Sequence, residues 1–244
     1  MCAQSLEWKE GGVPVSLRFD DPYFSLGNGL AETRYVFLDG NGLPGRFRPD
    51  FRIAELGFGT GLNMLATLIE WRGSGQGGLL RYTSFEGFPL AADDIAKALA
   101  AFPEAEAVAG PFLEQWHAQE GEAGVRVIRD EGMEARVLIG DVRETLPAWQ
   151  GRADAWFLDG FSPAKNPEMW GEELMTEVGR HTAPGGSFAT YTSAGHVRRA
   201  LASAGFSVER RSGFAHKRHM SVGRMPVEAA EIAAPSGDSA EGGQ

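Results

Sequence analysis

Four carboxylates stand at or near the ends of apolar runs: Glu55 within residues 53–56, Glu86 after residues 79–85, Asp141 after residues 135–139 and Asp159 after residues 153–158. Just after the first comes Gly57-Phe58-Gly59-Thr60-Gly61-Leu62-Asn63, three glycines at alternate positions, and then Leu62, Leu65, Ala66, Leu68 and Ile69 at helical spacing. A short apolar run, a glycine turn and a helix read as strand, tight loop and helix, the form of a nucleotide-binding turn. Glycines let the backbone bend sharply and let a ligand approach it, while the free N–H groups of the new helix point into the same space. A dinucleotide fingerprint requires GxGxxG; here the third glycine comes one place early and Leu62 stands where that pattern needs glycine. An acid at the end of a second strand, roughly 20 residues beyond the glycines, can accept both ribose hydroxyls side by side, and Glu86 fits that place a little late. Asp141 suits the adenine amino group, which offers a donor that a carboxylate accepts.

These groups need a scaffold to bring them together, and 244 residues at 43% hydrophobic suffice for one α/β domain with appendages. No apolar run approaches the ~18 residues of a membrane span, and the charged N-terminus lacks a signal-peptide core. A cytoplasmic protein with no membrane partner is expected. The single cysteine, Cys2, offers neither a disulfide nor a thiolate metal site, and the 5 histidines lack ligand spacing, so no metal is expected. A formal charge of −10 argues against indiscriminate nucleic-acid binding but leaves room for a local basic face.

Along the chain, residues 1–12 are expected to be disordered and residues 13–50 to form a preamble packed on the core. Within it, residues 13–17 alternate as a strand, Pro22 keeps residues 19–25 from being helical, and residues 29–38 end in a β-prone run before the Asn41-Gly42 turn. The main domain is expected over residues 51–224. Its second strand, residues 79–85, precedes a helix from Pro89 through Ala101 and a helical stretch from Phe102 to Gly124 interrupted at Gly110-Pro111. Residues 125–128 and 135–139 form a hairpin. The nearly continuous apolar run 153–158 is a central strand covered on both faces, ending on Asp159. Asn166-Pro167 starts a helix that stops at Pro184-Gly185-Gly186, a strand follows at residues 187–192, Ser193 caps a helix over 194–204, and residues 206–210 and 217–222 pair as a closing antiparallel hairpin. Residues 225–244, poor in large apolar side chains, read as a disordered acidic tail. Ligands of open parallel sheets sit beyond the carboxyl ends of the strands, so Asp159 should face the same crevice as the glycine turn, Glu86 and Asp141.

The ExGxGxG spacing, this strand order and the closing hairpin resemble class I S-adenosylmethionine-dependent methyltransferases, with a Rossmann-like seven-stranded sheet. The likeness then narrows. Residues 19–25, 32–38, 57–63, the run from Asp154 through Asp159-Gly160-Phe161-Ser162-Pro163-Ala164-Lys165-Asn166-Pro167, and Thr192-Ser193-Ala194-Gly195 with Val197-Arg198-Arg199 closely resemble the methyltransferase half of the bifunctional enzyme of tRNA 5-methylaminomethyl-2-thiouridine biosynthesis. The resemblance covers roughly residues 5–224. It implies methylation of the 5-aminomethyl group of a wobble 2-thiouridine in tRNA, with S-adenosylmethionine as donor. The family's oxidase half has no counterpart here, so the chain is expected to be the stand-alone methyltransferase, with a separate flavin oxidase acting upstream. Gly87 follows Glu86 where a lysine is the family's habit, a departure on the ribose side.

On that resemblance, Glu55, Gly57, Phe58, Gly59, Thr60, Gly61, Asn63, Glu86 and Asp141 form the cofactor site. An alkylamine is mostly protonated at neutral pH and has no lone pair until a proton leaves, so Asp159 is assigned to orient the amine and take its proton; failing it, the base is to be sought among Asp20, Asp21 and Glu32. Tyr23, Phe161 and Trp170 are candidates to wall in the extruded base, with Lys165 beside them on the substrate side. Residues 196–224 carry Arg198, Arg199, Arg210, Arg211, Lys217, Arg218 and Arg224 against the single acid Glu209, a basic face for the tRNA. The rival readings are a nicotinamide dehydrogenase, against which Leu62 and the final hairpin speak, an aminopropyltransferase of the same fold, which needs no basic face, and a non-catalytic tRNA-binding module.

Overall fold

The structure, a computed structural model, describes residues 5–25 and 28–227; the terminal residues 1–4 and the part of the expected acidic tail from residue 228 onward lie outside them. Residues 5–12 depart from expectation. Leu6 and Trp8 alternate on strand β1 (Leu6–Lys9), which pairs antiparallel with β2 (Val13–Ser16), itself paired with β3 (Asp21–Pro22). Tertiary packing holds this strand in place: Leu6 rests on the main core and the Lys97 ammonium lies 3.9 Å from the centre of the Trp8 ring.

Residues 29–38 differ too, for they are helical throughout. Asn28 caps α1 (Gly29–Thr33), its side chain accepting from the Ala31 N–H at 2.9 Å, and a π-helical stretch Arg34–Leu38 continues it. The β-prone residues Val36, Phe37 and Leu38 are buried, with the Phe37 ring 5.5 Å from that of Phe157, so core packing overrides local strand propensity. This helical path is also what brings Glu32 and Thr33 inward.

The main sheet takes β4 (Arg52–Leu56), then α2 (Leu62–Gly73), β5 (Leu80–Glu86), α3 (Ala92–Leu99), α4 (Pro103–Ala118), β6 (Gly124–Asp130), β7 (Met133–Ile139), α5 (Val142–Ala148), β8 (Ala153–Leu158), α6 (Glu172–Arg180), β9 (Thr182–Thr190), α7 (Gly195–Ser203), β10 (Ser207–Ser212) and β11 (His219–Arg224). Spatially the order is β10-β11-β9-β8-β4-β5-β7-β6. The neighbours among β7, β5, β4, β8 and β9 are parallel, while β6, β11 and β10 pair antiparallel. The sheet therefore has eight strands, one more than the seven of the resemblance, because β6, the outer arm of the hairpin expected from residues 125–128 and 135–139, joins it. β8 alternates between the two layers: Ala155 and Phe157 enter one hydrophobic core, Trp156 and Leu158 the other.

Two punctuation signals misplace element ends. Gly110 and Pro111 lie inside α4, which stays continuous because Ala105, Ala109, Phe112 and Trp116 bury one face across them. Pro184-Gly185-Gly186 lies inside β9 rather than before it, and β8 and β9 shift register between Ala153 and Ala155. The expected Ser193 cap is not used; α7 starts after Ala194, whose N–H is held by Thr192 Oγ1 at 3.3 Å. The feature that positions the site is the chain reversal. From β4 the sheet grows one way through β5 and the other way through β8, so the turns after β4 and β8 face each other across a topological switch point.

Candidate active site

Gly57, Gly59 and Gly61 sit at φ of 82°, 54° and 74°, the left-handed region where other residues are strained. A Cβ on Gly57 would come within 3.0 Å of Gly160 Cα, so the turns after β4 and β8 touch, and glycine is what allows it. Asn63, on the first turn of α2, reaches back between them. Its Nδ2 donates to Glu55 Oε1 at 2.9 Å and to Asp159 Oδ2 at 2.8 Å, while its Oδ1 accepts from Thr33 Oγ1 at 2.8 Å. Two carboxylates thus share one amide.

Glu55 is fully buried, and burial holds its carboxyl well above the usual carboxylate range. Burial also pushes Asp159 up, to about 6, against the Asn63 and Gly160 hydrogen bonds and the Lys217 charge, which act to lower it. At neutral pH Asp159 is therefore ionised, yet basic enough to take a proton.

Farther along the cleft, Glu86 is buried and fastened to the glycine turn. Gly59 N–H donates to its Oε2 at 2.9 Å and Phe88 N–H to its Oε1 at 2.7 Å, leaving each oxygen a second lone pair. Asp141 caps α5 by accepting from Arg143 N–H at 2.9 Å. The Arg143 guanidinium grips both Asp141 oxygens, which holds that carboxyl below its usual range, and reaches Glu168 at 3.0 Å. Glu86, Asp141, Asp159 and the turn residues Gly57–Thr60 all line one cleft of about 720 Å³. A glycine turn free of Cβ atoms, next to a buried acid that still has acceptor capacity, fits a nucleoside-type cofactor.

Preamble residues also line the cleft, packed on aromatics from the turns after β5 and β8. Phe161 stacks on Phe19 at 4.7 Å and meets Tyr23 edge-on at 5.1 Å, while Phe88 lies 5.6 Å from Phe19, its ring covered by Arg18 at 4.4 Å. Tyr23 and Phe161 line the cleft as expected, but Trp170 does not. It is 1% exposed within the core, with Nε1 donating to Phe161 O at 2.9 Å, so it supports Phe161 from beneath and has no free face for a base. Lys165 is tied to Asp20 by an ion pair, and Ser162 N–H donates to Asp21 Oδ2 at 2.8 Å, so both join the motif after Asp159 to the preamble.

Of the basic residues, Arg199, Arg210, Arg211 and Arg218 are exposed, while Arg198 is half-buried with Nε turned inward. Lys217 departs from the surface role: its stem is exposed but its ammonium enters the cleft, 2.7 Å from Glu32 Oε1 and 4.6 Å from the centre of the Tyr191 ring. In the sequence Glu32 stands only as an alternative base, and Tyr191, one tyrosine at the end of an apolar strand, carries no signal.

Residues 103–226 match a family described as S-adenosyl-L-methionine-dependent methyltransferase. The chain is 46% identical over 232 residues to the tRNA 5-methylaminomethyl-2-thiouridine biosynthesis bifunctional protein MnmC of Aeromonas hydrophila, covering 89% of this chain and 35% of that protein. To the protein of the same name in Caulobacter vibrioides it is 48% identical over 218 residues, covering 87% and 36%. The chain thus spans about a third of the length of these curated relatives. Among solved structures, MNMC2 from Aquifex aeolicus aligns at a TM-score of 0.70 and 24% identity over 95% of this chain and 74% of that one, a likeness of fold.

Proposed function

The chain belongs to the S-adenosyl-L-methionine-dependent methyltransferases, and from that membership we propose that it methylates the primary amine of 5-aminomethyl-2-thiouridine at the tRNA wobble position. The observation that carries this reading is the Asp159 carboxylate, held by Asn63 beside the glycine turn and poised near neutrality by burial. The relatives at 46–48% identity are named for tRNA 5-methylaminomethyl-2-thiouridine biosynthesis, which supports this substrate. In a cytoplasmic setting, a flavin oxidase activity acting upstream on the same uridine belongs to the same proposal. No helix among the described residues is long and apolar enough to cross a membrane.

The cofactor supplies a methyl group activated on a sulfonium. Gly57–Thr60 and Glu86 would hold its nucleoside end, and Asp141 would meet the adenine edge. Asp159 accepts a hydrogen bond from the substrate ammonium and takes its proton, leaving the nitrogen lone pair for the methyl carbon. Tyr23 and Phe161 wall the extruded base, and Arg210, Arg211 and Arg218 on the β10–β11 hairpin meet the phosphate backbone. Nucleoside mass spectrometry of tRNA from a deletion strain tests this directly. Accumulated 5-aminomethyl-2-thiouridine supports it, and an unchanged nucleoside profile removes it.

Two further results are expected. Glu86→Ala weakens S-adenosylmethionine binding by about 1.5–3 kcal/mol, the loss of a charge-assisted hydrogen bond, whereas Asp141→Ala has a smaller effect because Arg143 already engages its oxygens. Calorimetric titration with unchanged affinity in Glu86→Ala would take that residue out of the cofactor site. On the basic face, Arg210→Ala with Arg211→Ala flattens the salt dependence of tRNA affinity by somewhat under one log–log unit per lost phosphate contact, leaving cofactor affinity intact. An unchanged slope moves the tRNA elsewhere.

A further inference from the structure

Lys217 is a primary alkylammonium held beside Asp159, and the proposed substrate presents the same chemical group. Its Nζ lies 2.7 Å from Glu32 Oε1 and 4.6 Å from the centre of the Tyr191 ring, an acid and an aromatic face on one cation. The other Glu32 oxygen accepts from Ser25 Oγ, and the Glu32 side chain is only 11% exposed. Tyr191 donates its hydroxyl to Gly160 O at 2.8 Å, which fixes the ring against the residue next to Asp159. Both Lys217 and Glu32 act electrostatically on the Asp159 carboxyl.

We propose that Glu32 and the face of Tyr191 form the seat for the substrate's alkylammonium, and that Lys217 is an internal stand-in cation which the substrate displaces. A largely buried carboxylate is costly to leave unpaired, so Lys217 leaves most readily in exchange for another cation of like charge and shape. The Lys217 side chain is 46% exposed along its length, on the turn of the hairpin that carries Arg210, Arg211 and Arg218. Once displaced, its ammonium is free to join them on a phosphate. The exchange keeps the seat neutral and couples backbone docking to opening of the amine site. This deepens the tRNA-amine reading and rests on it for the identity of the substrate.

The test separates the two. With lysine labelled by ¹³C at Cε and the Lys217 signal assigned through Lys217→Met, benzylammonium chloride should move that signal to the position of a free lysine, while benzyl alcohol should not. Glu32→Gln should place the signal there before any amine is added. With an anticodon stem-loop bearing 5-aminomethyl-2-thiouridine, Glu32→Gln should raise KM by roughly 10-fold to 100-fold with a smaller change in kcat. Lys217→Met should bind benzylammonium several-fold more tightly, because no competitor remains to be displaced and this small amine has no phosphate for the lysine to meet. A Lys217 signal unmoved by saturating benzylammonium, or an unchanged KM in Glu32→Gln, overturns the seat. If benzylammonium displaces Lys217 but the wild-type chain methylates no stem-loop, the seat stands and the tRNA reading falls.

Discussion

Asp159→Asn lowers turnover at pH 7 by roughly 10²-fold to 10⁴-fold, the range for a positioned acid–base group, and leaves S-adenosylmethionine affinity unchanged. Asparagine keeps the shape and a hydrogen-bonding group but loses the charge that attracts an ammonium and the capacity to take its proton. Raising the pH should recover part of the loss, since free amine then arrives from solution. In the wild type, activity should fall as pH drops through about 6, where the Asp159 carboxyl protonates.

The same substitution should stabilise the fold at neutral pH. Burial raises Asp159 from 3.8 to about 6, so folding favours the protonated form. The stability this contributes is fully present below about pH 3.8 and is lost as pH rises through about 6. Above that, keeping the ionised carboxylate in the fold is unfavourable by about 3 kcal/mol relative to its protonated form, as an order of magnitude. Asp159→Asn should therefore melt higher than wild type at pH 8, with the gap closing toward pH 4. A variant that melts at the wild-type temperature at pH 8 and keeps near-normal turnover at pH 7 would reduce Asp159 to a loop acid.

The glycine-turn side of this cleft was legible because its signals are local. Gly57, Gly59 and Gly61 are required by backbone geometry, and Glu86, Asp141 and Asp159 follow short apolar runs that read as strands. One parallel-sheet rule then places all of them on one crevice. The side facing the preamble was not legible, since it depends on contacts remote in sequence. Trp170 and Phe161 look alike as aromatics after Asp159, and only packing shows that one lies in the core beneath the other. Lys217 looks like one more cation on a basic hairpin until α1 brings Glu32 to it across 185 positions of sequence. α1 was itself hidden, because Tyr35-Val36-Phe37-Leu38 has strand propensity and only its burial against Phe157 and the rest of the core makes it helical. Pro111 and Pro184-Gly185-Gly186 show the converse: strong local breakers are absorbed wherever neighbouring side chains bury a continuous face.

Asn63→Ala should be among the most damaging changes at the site, because one amide answers to three elements. Its Nδ2 protons go to Glu55 at the end of β4 and to Asp159 after β8, and its oxygen takes the Thr33 hydroxyl of α1, so the amide's orientation is fixed by its partners. Alanine leaves the buried Glu55 and the half-buried Asp159 without that donor. Losing the hydrogen bond to the ionised Asp159, at about 1.5–3 kcal/mol, and those to the buried Glu55 and Thr33, at about 0.5–1.5 kcal/mol each, lowers stability by roughly 2.5–6 kcal/mol at pH 7, measurable by urea unfolding. The Asn63 hydrogen bond also holds the Asp159 carboxyl down against burial, so its loss should carry the acid limb of the pH–rate profile above about 6. The Asp159 share of the loss should shrink in acid, where that carboxyl is protonated and needs the donor less. If stability falls but the acid limb stays in place, Asn63 is a structural strut and the Asp159 poise comes from burial alone. If the limb moves up, the same amide that ties β4 to β8 also sets the pH at which the amine can be deprotonated.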